Sequence, residues 1–394
     1  MEELPPLHGR MRAICALCRT ELEARNGRSL TAALACALGA FFFLFPANLL
    51  PILRVHAFGL HTSNVIAGGI LLLWNHGWVL LAGLSFLFVV VTPFLFFGAL
   101  SLSLGALRFT RRPPWIGRVF RRAMALELWA MIDVYLLASF VGYYRLAHVS
   151  QLHITVEIGA YCLIAAAFLS LLTRATLDKR SVWRLIGPEA PAPHGEHALS
   201  CTSCDLIQPL SRERHPCPRC GALLHSRKPG AAVRTTALLV AAFILFFPAN
   251  ILPMNVSSHL GTTTSYTIFT GVKDLFQAGL WPLGILIFCT SIVIPVAKIF
   301  ALAWCVASAH FGWTRHLVFK TRMLQLIAEI GRWSKTDPFT IVFFVPLMTL
   351  GAFASSSAGW GAIAFVAMTF FTMLASQFFD PRLMWDAAEQ SRHE

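Results

Sequence analysis

The heptapeptide FPANLLP, Phe45–Pro51, returns as FPANILP, Phe247–Pro253, 202 residues later. The same offset pairs Cys15 and Cys18 with Cys217 and Cys220, Gly77 with Gly279, and Pro93 with Pro295. It holds to the end of each half, where Asp178, Arg180 and Trp183 match Asp380, Arg382 and Trp385. A drift of two residues in the middle pairs Trp129 and Asp133 with Trp333 and Asp337. A register that survives cysteine pairs, prolines and an aspartate marks one module duplicated in parallel, so the chain is read as two copies. Within the heptapeptide, Pro46 and Pro51, like Pro248 and Pro253, each remove a backbone donor. Asn48 and Asn250 can satisfy backbone groups beside them. Two readings stand: a helix terminus followed by a turn, or a helix broken at membrane depth, which is tolerated only against protein or a wet cavity.

The module is a membrane one. Of 394 residues, 56% are hydrophobic and only 13% charged, with a mean hydropathy of +0.64. Apolar stretches recur where a span needs about 20 residues. In the first copy they are Leu30–Leu53, Gly77–Leu107, Ala123–Tyr144 and Ile154–Leu172. In the second they are Val233–Met254, Gly279–His310, Lys335–Phe353 and Gly359–Phe379. The expectation is an all-α integral membrane protein, two tandem four-helix modules with eight spans. The second and sixth stretches are overlong and contain Pro93 and Pro295, which predicts tilt or a kink. The first apolar run is too long for the h-region of a cleaved signal, so none is expected. The expected boundaries are an N-terminal segment over 1–29, a first module over 30–184, a linker over 185–230, a second module over 231–385 and a tail over 386–394.

Orientation follows from the basic residues. Segments 1–29, 107–122, 174–234, 310–335 and 380–394 hold 28 of the 32 Lys and Arg, whereas the opposite loops hold only Arg54, Arg145 and Lys273. The positive-inside rule puts both termini and the linker in the cytoplasm. The net charge of +13 lies along span edges, where anionic headgroups attract it. That argues against nucleic-acid binding, which gathers charge on one soluble domain.

The linker carries the strongest chemical motif. Cys201 and Cys204, then Cys217 and Cys220 followed by Gly221, have the paired spacing of a four-cysteine zinc ribbon. Each CxxC turn presents two thiolates to one ion, and Gly221 permits the tight turn. Four sulfurs fill a tetrahedral shell and leave no position for water chemistry. A reducing compartment disfavours two disulfides, and a thioredoxin-type redox pair needs a βαβ fold that cannot be drawn here. Zinc is the expected cofactor, with rubredoxin-like iron as the alternative. In the first copy, Cys15 and Cys18 lack upstream partners. The favoured reading is a decayed half ribbon that binds nothing. The alternatives recruit His8 or a ligand from the second ribbon, or place the chain's start too far downstream. Cys36, Cys162, Cys289 and Cys305 lie singly in apolar spans and read as packing residues.

Ionisable residues inside the membrane are costly and usually have partners. Lys298 follows Pro295 by less than one turn, and Asp337 heads the seventh stretch, so the two could pair across adjacent helices. Ser291 shares a helix face with Lys298, as Ser334 does with Asp337, and Thr369 and Thr372 add hydroxyls in the last span. The first copy has Asp133 but Phe96 and Val89 in place of Lys298 and Ser291, so it lacks the lysine of the pair. The plainer reading is a capping Asp337 and a snorkelling Lys298. Glu127, Glu157 and Glu329 read as interfacial groups beside Arg121, Arg122, His153 and Arg332. No phosphate-binding GxxxxGK[ST] loop occurs, no enzymatic activity is expected, and facing histidine pairs for haem are missing.

Taken together, CTSCDLIQPL with CPRCGALL, FPANILP, GVKDLFQAGLWP, SIVIPVAK, GRWSKTDPF and FFDPRLMWD resemble the paraquat-inducible protein A family, in its two-domain lipophilic-envelope-spanning tunnel protein A type. The resemblance covers nearly the whole chain. It implies a bacterial inner-membrane protein that works with a periplasmic tunnel protein built of mammalian-cell-entry (MCE) domains in phospholipid trafficking. It also implies a polar network at Ser291, Lys298, Ser334, Asp337 and Thr372. The function expected is loading or extracting membrane phospholipid for that tunnel, with an ion gradient as the energy source. The alternative is a membrane anchor that docks the tunnel without transporting.

Overall fold

The computed structural model of the chain describes residues 12–14, 21–24, 29–57, 60–108, 113–147, 153–187, 198–259, 262–277, 279–313, 315–330 and 354–393. The first copy begins with α1 (Leu30–Leu49), capped by the Ser29 hydroxyl, which accepts from the Ala32 amide at 3.4 Å. It does not break at Pro46. The proline sits inside the helix, which stops only at Leu50, whose extended backbone (φ −92°, ψ 151°) is what a following proline demands. Asn48 stays helical and donates to the Leu44 carbonyl at 2.8 Å. In the second copy, α8 (Ala231–Ile251) repeats each feature: Pro248 lies inside it, Leu252 is extended, and Asn250 donates to Phe246 at 2.8 Å. Of the two readings of the repeated heptapeptide, the helix terminus is the one observed.

Beyond the elbow the chain departs from an all-α expectation. In the first copy β3 (Leu53–Ala57), β4 (Leu60–Asn64) and β5 (His153–Val156) form an antiparallel sheet of order β4–β3–β5. In the second, β8 (Asn255–His259), β9 (Thr262–Tyr266) and β10 (Ala354–Ala358) form the matching sheet β9–β8–β10. Thr and β-branched residues favour extended backbone at these positions. Shorter hairpins β1 (Arg12–Ile14) with β2 (Glu21–Ala24), and β6 (Ala198–Ser200) with β7 (Ile207–Pro209), lie before each first span.

The helices between follow a common order. After β4 come α2 (Ile66–Asn75), α3 (Val79–Arg108), α4 (Ile116–Leu126), α5 (Ile132–Ala147), α6 (Ile158–Thr176) and α7 (Lys179–Ile186). After β9 come α9 (Ile268–Gln277), α10 (Trp281–His310), α11 (Leu317–Ile330), α12 (Trp360–Phe378) and α13 (Arg382–His393). Six described helices are long and apolar enough to cross a membrane: α1, α3, α6, α8, α10 and α12. The third expected span is divided. Its first residues belong to α4, which buries Ile116, Gly117, Phe120 and Ala123 and turns Arg118 and Arg122 to solvent. The apolar α5 has 16 residues. Arg118, Arg121 and Arg122 make α4 amphipathic, and they precede Ala123, where the expected span begins. The seventh expected span, 335–353, lies outside the described residues.

Pro93 and Pro295 are absorbed without a break. A π turn, Phe86–Val91 in α3 and Cys289–Val293 in α10, lies just upstream of each proline. The wide turn accommodates the carbonyl that the proline nitrogen cannot serve. Thr92 adds a hydroxyl bond to the Leu87 carbonyl at 2.7 Å.

First and last spans pack closely within each copy. Ala33, Ala37, Ala40, Leu44 and Ala47 form the buried stripe of α1. Thr235, Leu239, Ala242 and Ala249 form that of α8 at the same register. Small residues at helical spacing let backbones approach, the main route to helix association in lipid. The elbow then latches onto the next helix: Gly159 donates to the Pro51 carbonyl and Gly361 to that of Pro253, both at 3.0 Å. A Cβ on Gly159 would lie 2.5 Å from the Pro51 carbonyl oxygen, and one on Gly361 would lie 2.4 Å from that of Leu252.

Gly361→Ala and Gly159→Ala should each destabilise the protein by about 1–3 kcal/mol through overpacking against backbone that cannot yield. Gly271, in the same copy, has nothing within 4 Å of its would-be Cβ. Thermal unfolding in detergent should therefore show lower midpoints for the first two variants and none for Gly271→Ala.

Candidate functional site

Two groups of chemistry-bearing residues are built. The first is on the basic side of the protein. The Cys201 amide donates to Leu206 at 3.0 Å and the Asp205 amide to Cys201 at 3.0 Å; the Cys217 amide donates to Ala222 at 2.7 Å and the Gly221 amide to Cys217 at 2.8 Å. Each knuckle closes on a left-handed residue, Asp205 at φ 55° and Gly221 at φ 68°. The turn expected at Gly221 is present, and its twin at Asp205 carries a side chain, which aspartate tolerates better than most. The four buried sulfurs lie within 4.8 Å of one another, with Cys201 Sγ 3.5 Å from Cys220 Sγ and Cys204 Sγ 3.6 Å from Cys217 Sγ. All four thiols are free of disulfides. Hydrogen bonding with Cys204 brings the Cys201 thiol down to about 7, and the same contact pushes Cys204 up. Four sulfurs forced to share charge in this way form a donor set that suits a soft divalent cation. Cys15, Cys18 and His8 lie outside the described residues.

The cysteine hairpin is held at both ends. Gly117 of α4 packs so closely on it that a Cβ would sit 2.0 Å from the Arg219 carbonyl oxygen. Downstream, Arg227 grips Asp386 of α13 through two bonds of 2.6 and 2.7 Å, and Lys228 Nζ donates to the Gln377 carbonyl at 2.5 Å. The hairpin therefore touches the first copy through its backbone and the second through charge. Glu213 braces the exit by accepting from the Ser226 hydroxyl and amide at 2.7 and 3.1 Å, and the hydroxyl bond holds its carboxyl below the usual carboxylate range.

The second group lies within the spans. Lys298 of α10 is 3% exposed, and its Nζ donates to Thr372 Oγ1 of α12 at 3.4 Å. Thr372 donates in turn to the Thr369 carbonyl at 2.9 Å. Ser291 is fully buried on the same helix as Lys298 and bonds back to Ile287 at 2.7 Å. Lys298 and Thr372 are thus brought together. Ser334 and Asp337 lie outside the described residues.

The first copy solves the same charge problem differently. Asp133 at the start of α5 was expected to lack a partner, because Phe96 stands where Lys298 would be. Instead Arg174, at the end of α6, places Nη1 3.1 Å from Asp133 Oδ2 and Nη2 3.1 Å from the Ala130 carbonyl. In the 202-residue register Ser376 replaces that arginine. The cation that faces the repeated aspartate in the first copy is therefore missing from the same position of the second. Sequence reasoning overlooked Arg174 because it searched only at the lysine's register. It also overlooked Lys320, which is 1% exposed, donates to Ser308 Oγ at 2.6 Å and lies 5.5 Å from the Trp304 ring centroid. Interfacial partners were reassigned as well: Glu127 pairs with Lys179 at 2.6 Å, and Glu157 with Arg54 at 3.4 Å. The Glu329 side chain is outside those described.

Removing one member of a nearly buried pair leaves the other uncompensated. Arg174→Ala should cost about 3 kcal/mol of stability. Adding Asp133→Asn to it should recover most of the loss, read as the unfolding midpoint of the purified protein.

Comparison with known proteins adds the following. A family model described as "Paraquat-inducible protein A" matches residues 30–187 and again 233–389. "Intermembrane transport protein PqiA" of Escherichia coli (strain K12) is 29% identical over 401 residues, covering 99% of this chain and 94% of that protein. A "Probable intermembrane transport protein" of Haemophilus influenzae is 28% identical, covering 98% and 93%. "Lipophilic envelope-spanning tunnel protein A" of Escherichia coli (strain K12) is 27% identical, covering 98% and 89%. No solved structure matches the chain.

Proposed function

The chain belongs to the paraquat-inducible protein A family, and on that premise we propose that it is the inner-membrane component of a lipid transport system. It loads phospholipid into, or extracts it from, a periplasmic tunnel protein built of MCE domains. The relatives' names, which speak of intermembrane transport and of an envelope-spanning tunnel, support this reading. The observation that carries it is Lys298, a lysine buried at membrane depth in the second copy alone, with a threonine as its hydrogen-bond partner. A charge so placed is expensive, and in membranes it marks transport paths and proton relays. Ser291, Lys298, Ser334, Asp337 and Thr372 are assigned to one polar network, in which a change of access changes the charge state of the lysine and aspartate. An ion gradient supplies the energy in this scheme. The basic side, with both termini, faces the cytoplasm.

Zinc is assigned to Cys201, Cys204, Cys217 and Cys220, where it supplies a closed structural cross-link. Purified protein should contain about one zinc per chain, as four thiolates complete one tetrahedral shell. Cys217→Ser should lose the metal and Cys15→Ser should leave the content unchanged; two zincs per chain would show that the N-terminal pair also binds.

The competing reading is an anchor that holds the tunnel partner without moving lipid. The static Asp133–Arg174 pair favours it, since a charge already satisfied within one copy has nothing to switch. The double variant Lys298→Met with Asp337→Asn separates the two. It leaves no unpaired charge, so expression and partner binding should stay near normal while lipid-barrier function in a deletion strain is lost. Full complementation by that variant would remove the network as the engine and leave the anchor.

A further inference from the structure

Between the two copies lies a small open cleft. One wall comes from α3 and the turn before α5, with Leu81, Ser85, Phe88 and Trp129; the other comes from α12, with Thr369 and Phe370. Trp129 ties the walls together, stacked on Phe88 at 5.2 Å between ring centroids and 5.5 Å from Phe370. At the start of both helices, Trp78 meets Trp360 edge-on at 5.7 Å. The cleft is therefore bounded by aromatic contacts that join one copy to the other.

Its depth identifies its occupant. Thr369 is the tenth residue of the 19-residue α12, so the cleft sits about 14 Å along the helix, near the centre of the span. There the surrounding solvent is hydrocarbon. The lining offers little to water: the Ser85 hydroxyl is already committed to the Leu81 carbonyl at 2.7 Å, and the other walls are chiefly aliphatic and aromatic. An apolar groove left empty forfeits dispersion contacts along its whole length.

One polar atom breaks the pattern. Among the described residues, Thr369 Oγ1 is buried with no hydrogen-bond partner. Its helix position is one turn before Thr372, which receives Lys298. In the duplicated register Thr369 corresponds to Ala167, and Ser85 and Phe88 correspond to Ile287 and Thr290. The lining residues are therefore not repeated between the copies, and the cleft adjoins the Lys298–Thr372 contact of the second copy.

We propose that this cleft between the copies holds a single acyl chain of a membrane phospholipid, entering sideways from the bilayer, with Thr369 as the point where the chain site meets the Lys298–Thr372 cluster. The proposal rests on the reading of phospholipid as cargo, yet it concerns binding and needs neither the tunnel partner nor an ion gradient.

The test uses the full-length protein in nanodiscs of phosphatidylethanolamine and phosphatidylglycerol, with a phosphatidylethanolamine probe carrying a diazirine midway along one acyl chain. After irradiation, adducts at Phe370 and Met373 should exceed several-fold those at Val240, an outward-facing residue of α8. Leu84 of α3 also lines the cleft; Leu84→Trp, which fills it, should lower the Phe370 adduct several-fold, while Leu84→Ala keeps it. Should Leu84→Trp fail to fold, Thr369→Phe fills the same space from the opposite wall and is read in the same way. Labelling at Phe370 no greater than at Val240, or unchanged by filling the cleft, overturns the site. So does equal labelling by a twin probe with its diazirine on the headgroup, or labelling by a diazirine fatty acid but not by the phospholipid. Chain labelling at Phe370 without lipid transfer to the tunnel partner would leave the site standing and sink the transport reading instead.

Discussion

The bond on which each module depends is the latch between its first and last spans. A proline carbonyl at the end of the FPAN-x-LP elbow accepts the amide of a glycine at the head of the last span, Pro51 from Gly159 and Pro253 from Gly361. The second proline forces the residue before it into an extended conformation and so ends the helix at one defined point. The carbonyls exposed there need a donor inside the membrane's outer edge, where an unsatisfied group is costly. Only a residue without a Cβ approaches closely enough to give it. The alanine stripes of α1 and α8 then follow, because the latch sets the helices in register and small side chains allow them to close.

A second constraint is buried charge. Each copy carries an aspartate at the matching sequence position, Asp133 and Asp337. In the first copy Arg174 reaches Asp133 from the end of α6, and the pair is complete. In the second, serine replaces that arginine, and a lysine stands on α10 instead, hydrogen-bonded to Thr372. Duplication thus produced one copy whose charges are settled at the membrane edge and another that keeps a cation near the middle of a span. The four-cysteine hairpin lies between them. Its backbone presses on Gly117 of the first copy, and Arg227 and Lys228 beyond it hold the second. A metal there would stiffen a basic-side connection between the halves.

Much of this architecture was legible in the chain. The positions of six long apolar helices and the four-cysteine cluster depend on spacing along the sequence, and spacing is what periodicity and motif report. The Thr-rich run HLGTTTSYTI, His259–Ile268, favours extended backbone by composition and covers β9, whereas the third strand of each sheet, just before the last span, carries no such signal. The expected third span, Ala123–Tyr144, covers the end of α4 and most of α5, because hydropathy along the chain does not register the turn between them.

What the sequence by itself determined is a membrane chain whose motifs and apolar stretches recur 202 residues on, with four cysteines at paired spacing and a lysine in its sixth apolar stretch. Tertiary structure alone decided which cation answers Asp133, which glycine receives the elbow, where the cysteine hairpin rests and what space remains between the copies. Those outcomes join residues 40 to nearly 300 positions apart, such as Asp133 with Arg174 and Trp78 with Trp360. Such pairs share no period and no motif. They are set by how closely two helices approach once their small faces have packed, and that distance is a property of the assembled helices rather than of any one of them.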